Sequence, residues 1–192
     1  MATSVRAAQT QLLRDHVLEA ACDLIRAGED VTFTKIAAAA EVPERTLYRH
    51  FPNRQALVNA LFAHVNQRIG FDGELPTTPL EMTAMVRQVF PGFDTVAPVV
   101  DELLSSPEGR RARLDAIEQR RAAALAVVAD ARPDLDDETA RNLAAIVQVL
   151  GSAAVWRALR DFWDLDGAHA ATAVTTAIDA LLTQPSSRRE PP

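Results

Sequence analysis

The chain has 192 residues, 48% of them apolar and 24% charged, with a formal net charge of −6 and a single cysteine. That composition supports a sizeable hydrophobic core in one moderate domain or in a small domain joined to a larger one, and it excludes an internal disulfide, because Cys22 has no mate. No run approaches the roughly 18 apolar residues of a membrane span, and no basic segment followed by an apolar core opens the chain, so the reading is a water-soluble, cytoplasmic protein with no membrane partner.

Met1 to Gln9 is polar and is expected to form a mobile arm, whose Arg6 either touches DNA or, as is commoner for such arms, does nothing. From Thr10 to about Ala27, Leu13, Val17, Ala20, Ala21, Leu24 and Ile25 recur at three and four, which predicts an amphipathic helix stopped by Gly28, with Cys22 a small core residue. Thr32 then reads as the N-cap of a second helix. Ile36, Ala37 and Ala40 share one side of that helix, and Leu47 and Phe51 lie four apart on a third, so these faces bury each other as a helix-turn-helix. With Leu47 inward, the 100° step points Arg45 and Arg49 outward, flanked by Thr46, Tyr48 and His50. Guanidiniums fork onto guanine edges or phosphates, and hydroxyls and imidazole reach phosphate oxygens, so this surface suits DNA. Lys35 in the first turn of the second helix, where the helix dipole disfavours a cation, reads either as a phosphate contact or as a solvated lysine. Asn53 caps a fourth helix, and Arg54 in its first turn has the same conflict and the same phosphate reading.

At T32-x-x-x-I36-A37, V42-P43-E44-R45-T46-L47-Y48-R49-H50-F51 and N53-R54-x-x-L57 the chain resembles the DNA-binding domain of the TetR family of bacterial transcriptional regulators. The resemblance reaches back to Ala20, Ala21, Leu24 and Gly28 and covers about the first third of the chain. It implies an all-α fold of about nine helices, an N-terminal three-helix DNA-binding domain plus a C-terminal helical ligand-binding and dimerisation domain. The expected DNA-facing set is Thr32, Thr34, Lys35, Glu44, Arg45, Thr46, Tyr48, Arg49, His50 and Arg54. Two positions depart from the usual pattern: Glu41 stands where the turn commonly has Gly, which marks a reshaped turn, and Pro43 stands where Ser often precedes the recognition helix. The net charge fits this division, since residues 1–70 hold 8 Lys/Arg against 7 Asp/Glu and residues 71–192 hold 12 against 19. An acidic body behind a locally basic face discourages indiscriminate adhesion to DNA.

The fourth helix carries Leu57, Val58, Leu61, Phe62 and Val65 and is expected to end near Ile69, with a linker from Phe71 to Pro79. Further helices are expected over about 79–90, 96–105, 107–131, 135–163 and 167–183, punctuated by Pro91, Gly92, Pro98, Pro107, Pro133 and Gly167. The domains are therefore 1–70 for DNA binding, 71–184 for effector binding and dimerisation, and 185–192 as a disordered tail. The stretch from Asp136 to Trp163 is apolar on more than one face, and the last helix is rich in alanine, which favours close backbone approach. These last two helices resemble the family's four-helix dimer bundle, and a homodimer would supply the second reading head that a palindromic operator needs.

An apolar effector site among Met82, Met85, Phe90, Phe93, Val100, Leu103, Leu104 and Trp156 is one reading of those residues, and plain core is the other. The arginines at 110, 111, 113, 120 and 121, interleaved with Asp115 and Glu118, read as a solvated helix face with local ion pairs, with an anion-sensing patch as the lesser alternative. His16, His50, His64 and His169 are scattered, with no i, i+4 pair and no second cysteine, so the chain is read as non-enzymatic, without catalytic residues, metal ligands or cofactor. Three functions remain from the sequence: a ligand-responsive repressor of double-stranded operator DNA, a regulator without a small-molecule effector, and a helical interaction protein that has lost DNA binding, for which Glu41 and Glu44 are the hints.

Overall fold

The structure, a computed structural model, describes residues 2–183, with side chains from Ala7 onward. Eleven helices and no strand occur among the described residues: α1 (Ala2–Arg26), α2 (Phe33–Ala39), α3 (Glu44–His50), α4 (Arg54–Arg68), α5 (Pro79–Thr95), α6 (Ala97–Ser105), α7 (Pro107–Leu114), α8 (Ile117–Ala131), α9 (Asp137–Leu150), α10 (Ala153–Trp163) and α11 (Gly167–Thr183). The all-α expectation is met. The expected N-terminal arm is instead helical from Ala2, an extension that an alanine- and glutamine-containing run makes at little cost once α1 is nucleated by packing. The Arg6 side chain and the expected tail lie outside the described residues.

The chain forms two compact units, each discontinuous in sequence. Of the described residues, one takes 2–67 and 96–114, the other 68–95 and 115–183. The division expected near residue 70 therefore omits α6 and α7 from the first unit. They belong there because α6 buries Val99, Val100 and Leu103, and Leu103 shares a small cleft with Ala21 and Ile25 of α1 and Leu57, Val58 and Leu61 of α4. Gly109 and Ala112 are the buried positions of α7. Val17, Leu18, Ala20, Ala21 and Cys22 of α1 are also buried.

In the second unit α11 lies along α5. Their apolar stripes, Met82, Val86, Val89, Phe90 and Phe93 on one and Ala170, Ala171, Val174, Ile178 and Leu182 on the other, are buried. α5 opens on a capping box, with the Thr78 hydroxyl accepting from Glu81 N at 3.3 Å and the Glu81 carboxylate accepting from Thr78 N at 3.2 Å. The expected stop at Pro91 does not occur, and α5 continues to Thr95. A proline inside a helix forfeits one hydrogen bond and costs about 3 kcal/mol, and here the aromatic cluster that spans it offsets that cost: Phe90–Phe93 and Phe93–Trp156 ring centroids are 5.8 and 5.3 Å apart. Two expected long helices are each divided. The 107–131 stretch breaks at Asp115 and Ala116, where the chain passes from one unit to the other. The 135–163 stretch bends by 61° between α9 and α10. Gly151 lies at that bend, facing the side chains of Met82, Met85 and Val86. No single helix among the described residues is long and apolar enough to cross a membrane.

Candidate nucleic-acid interface

The two central helices are short, seven residues each, and neither is stable alone in water. Packing holds them, through Ile36, Ala37 and Ala40 on one side and Leu47 and Phe51 on the other, all 5% exposed or less. Thr32 caps α2, its hydroxyl accepting from Lys35 N at 3.2 Å, and Asn53 caps α4, accepting from Ala56 N at 2.8 Å, both as the sequence predicts. The turn between α2 and α3 closes by two hydrogen bonds, Val42 N to Ala37 O at 3.0 Å and Glu41 N to Ala38 O at 3.2 Å. This is a Schellman motif, the same one that ends α1, where Glu29 N donates to Leu24 O and Gly28 N to Ile25 O. The residue at the left-handed position is Gly28 in one case, with φ +70, and Glu41 in the other, with φ 52. Glu41 thus keeps the geometry that glycine would favour rather than reshaping the turn.

On α3, Leu47 is fully buried, and Arg45, Tyr48 and Arg49 are exposed, while Thr46 and His50 are half-buried. The Tyr48 ring stacks on Phe33 with centroids 4.6 Å apart and an interplanar angle of 14°, which fixes the direction of its hydroxyl. Thr34 donates to the Glu44 carboxylate at 3.3 Å, so this pair from the expected DNA-facing set ties the start of α2 to the start of α3.

Two residues of α1 that the sequence reading left out hold the ends of these helices. Arg14 Nη1 donates to His50 O at 3.0 Å, with its guanidinium 4.6 Å from the centre of the Phe51 ring. His16 Nε2 donates to Ala40 O at 3.0 Å. Both satisfy carbonyls at a helix C-terminus, where positive charge and donors are favoured. Nothing in their spacing on α1 distinguishes them from solvated polar residues, since the acceptors are 36 and 24 residues away.

His50 is placed differently from the expectation. Its Nε2 is buried and without a hydrogen-bond partner. Burial first, then the Arg49 and Arg14 guanidiniums, hold its pKa below the ordinary histidine value, so the ring is neutral and its backbone carbonyl, rather than its imidazole, does the structural work. Lys35 is 43% exposed and pairs with Glu29 at 3.1 Å and Asp30 at 4.0 Å. Exposed pairs of this kind are worth little, so the ammonium can exchange them for a phosphate. Arg54 is engaged more fully: it donates to Val31 O at 2.9 Å and lies 3.8 and 3.9 Å from the carboxylates of Glu102 and Glu108. Its guanidinium closes one side of a cleft of about 630 Å³ that also presents Glu29, Asp30, Asp101 and Glu102, an acidic lining that repels phosphate. Within the chain, the cation at the start of α4 is thus met by the Val31 carbonyl and two carboxylates.

The expected effector residues divide between the units. Val100, Leu103 and Leu104 belong to the first, and Met82, Met85, Phe90, Phe93 and Trp156 to the second. Met82, Phe90, Phe93 and Trp156 are buried, the three aromatic rings in one cluster. Trp156 Nε1 donates to Asp94 Oδ1 at 2.9 Å, and the other oxygen of that carboxylate accepts from Gly167 N at 2.6 Å, so the indole is anchored. Met85 lines an open cleft of about 540 Å³, with Phe71, Leu75, Pro76 and Val89 as its apolar wall and Asp72, Glu74, Glu81 and Gln88 as its polar rim.

Residues 17–61 match the family model described as bacterial regulatory proteins, tetR family. No curated protein matches the chain, and no solved structure matches it.

Proposed function

We propose that the chain, whose residues 17–61 match the model described as bacterial regulatory proteins, tetR family, is a DNA-binding transcriptional regulator, a cytoplasmic repressor that grips a palindromic operator as a homodimer. The observation that carries the reading is the outer face of α3, where Arg45, Tyr48 and Arg49 are exposed on a helix whose inner face is closed by Leu47. In this reading Arg45 reads base edges, Arg49, Thr46 and the Tyr48 hydroxyl hold phosphates, and Thr32, Thr34, Lys35 and Glu44 flank them at the start of α2 and α3. Arg54 and the His50 ring are left out of the contact set because of their internal surroundings. The dimer contact runs through α10 and α11. Support for it is the outward face of α11, Ala168, Thr172, Ala173, Thr176 and Ala180, whose small side chains permit close helix approach, together with Phe162 and Trp163 at the end of α10, 81% and 74% exposed.

The experiment is an operator selection followed by titrations against salt. Arg49→Ala should flatten the salt slope by about one unit, Arg45→Ala should relax preference at particular base pairs, and Arg54→Ala should leave the slope unchanged. Wild-type slopes in both Arg45→Ala and Arg49→Ala, with unchanged sequence preference, would remove α3 as the reading element.

The response to a small molecule rests on the cleft beside Met85, whose apolar wall and polar rim suit a largely apolar compound. The close packing of Phe90, Phe93 and Trp156 favours the second reading, a regulator without such an effector. A thermal-shift screen of apolar compounds separates them. A true inducer binds more weakly when operator is present, by the same factor by which it weakens operator binding. Hits indifferent to DNA, or none at all, select the effector-free regulator.

A further inference from the structure

One side-chain cluster in the first compact unit has no part in DNA reading. Glu19 and Cys22 are three apart on α1 and so share a face, and His64 comes to them from α4. One ligand atom from each residue lies within 4.8 Å of the other two. His64 Nε2 donates to Glu19 Oε1 at 3.0 Å, the histidine side chain is 10% exposed and the glutamate 40%, and Cys22 is fully buried. A thiol, an imidazole nitrogen and a carboxylate converging from two helices is a donor set with a definite preference. Calcium and magnesium take oxygen ligands throughout, whereas thiolate and imidazole suit borderline ions, zinc above all. Ligand atoms around tetrahedral zinc sit about 3–4 Å apart, so the three groups need to contract by no more than about 1–2 Å. The charges also balance: a thiolate and a carboxylate neutralise a divalent ion, whereas either anion alone in this half-buried place is costly.

We propose that Glu19, Cys22 and His64 form a zinc site that ties α1 to α4, with three protein ligands and water in the fourth position. On binding, the Cys22 thiol proton leaves to solvent and the His64 proton moves from Nε2 to Nδ1, which frees the Nε2 lone pair for the metal while the carboxylate turns from hydrogen-bond acceptor to ligand. The ion enters past Glu19, the most exposed of the three. The spacing of the sequence hides this site, because the histidine is 42 residues from the cysteine and shares no short motif with it.

The test uses the full chain, reduced and stripped of metal, with cobalt(II) as a spectroscopic stand-in and no DNA present. Cobalt should give a near-ultraviolet thiolate-to-metal band that saturates at a single ion per chain and is displaced by zinc, and zinc should raise the thermal midpoint. Cys22→Ser should abolish the band, and Glu19→Gln and His64→Gln should each weaken cobalt binding by at least about tenfold. The latter two change half-exposed or edge positions, so their helical circular dichroism verifies the fold if the cysteine variant does not fold. The absence of a thiolate band in the wild type, or a cobalt affinity unchanged in both Glu19→Gln and His64→Gln, would reduce the cluster to a hydrogen-bonded Glu–His pair beside a core cysteine.

Discussion

Glu41 and His50 show how single residues carry strain and charge in this domain. A left-handed conformation costs a non-glycine residue roughly 1 kcal/mol, and asparagine tolerates it far better than glutamate. Glu41→Asn, at φ 52, should therefore stabilise the fold by about 0.5–1 kcal/mol in urea denaturation, with operator affinity unchanged because the turn geometry is retained. His50 has a pKa below its ordinary value, so the folded state takes up its proton at lower pH than the unfolded chain. Stability that is complete above the unfolded value of about 6.5 is lost as pH falls through the folded pKa. The thermal midpoint should decline as pH is lowered from about 7.5 toward 5, and His50→Gln should make that decline shallower. An equal decline in the variant would shift the dependence to another histidine.

Among the elements, α1 is the one whose contribution was least legible. The caps at Thr32 and Asn53, the buried faces of α2 and α3 and the exposed arginines of α3 could all be read locally, because each follows from residues within a turn or two. Arg14 and His16 act on carbonyls tens of residues away, and chain periodicity carries no information at that range. The same limit explains Arg54, whose partners Glu102 and Glu108 lie beyond α5 in sequence, and the helix through Pro91, where aromatic packing overrides a local stop signal. Arg14→Ala should cost about 1 kcal/mol by freeing the last carbonyl of α3, and His16→Ala about the same at the end of α2. Operator affinity should fall in Arg14→Ala more than in His16→Ala, since only the former loosens the reading helix. Equal stability of both variants and wild type by urea titration would show that water replaces these donors without loss.

At the scale of the molecule, the proposed dimer makes a prediction that the single chain's packing sharpens. Ala177 of α11 is half-buried within its own subunit, so a charge there confounds folding with association. Ala173 is exposed. Ala173→Arg should leave a folded monomer with wild-type helix content, and operator affinity should drop by about 100-fold or more because bridging of two half-sites is lost. Light scattering reads the first outcome and a gel shift the second. A dimer of normal affinity in this variant would exclude the outward face of α11 from the contact.

The discontinuity of the units bears on how the chain is made. Synthesis proceeds from the N-terminus at about 5–20 residues per second, and domains close as their last segment emerges. When residue 67 has left the ribosome the reading head has its four helices but neither α6 nor α7, and all of α5 must be translated before they arrive. Until then Leu57, Val58 and Leu61 of α4 lack Leu103 of α6 beside them. The nascent reading head is thus an incomplete fold for the time taken to add about 47 residues, several seconds by that rate, and the apolar stripe of α5 waits longer still, because α11, which lies along it, begins only at Gly167.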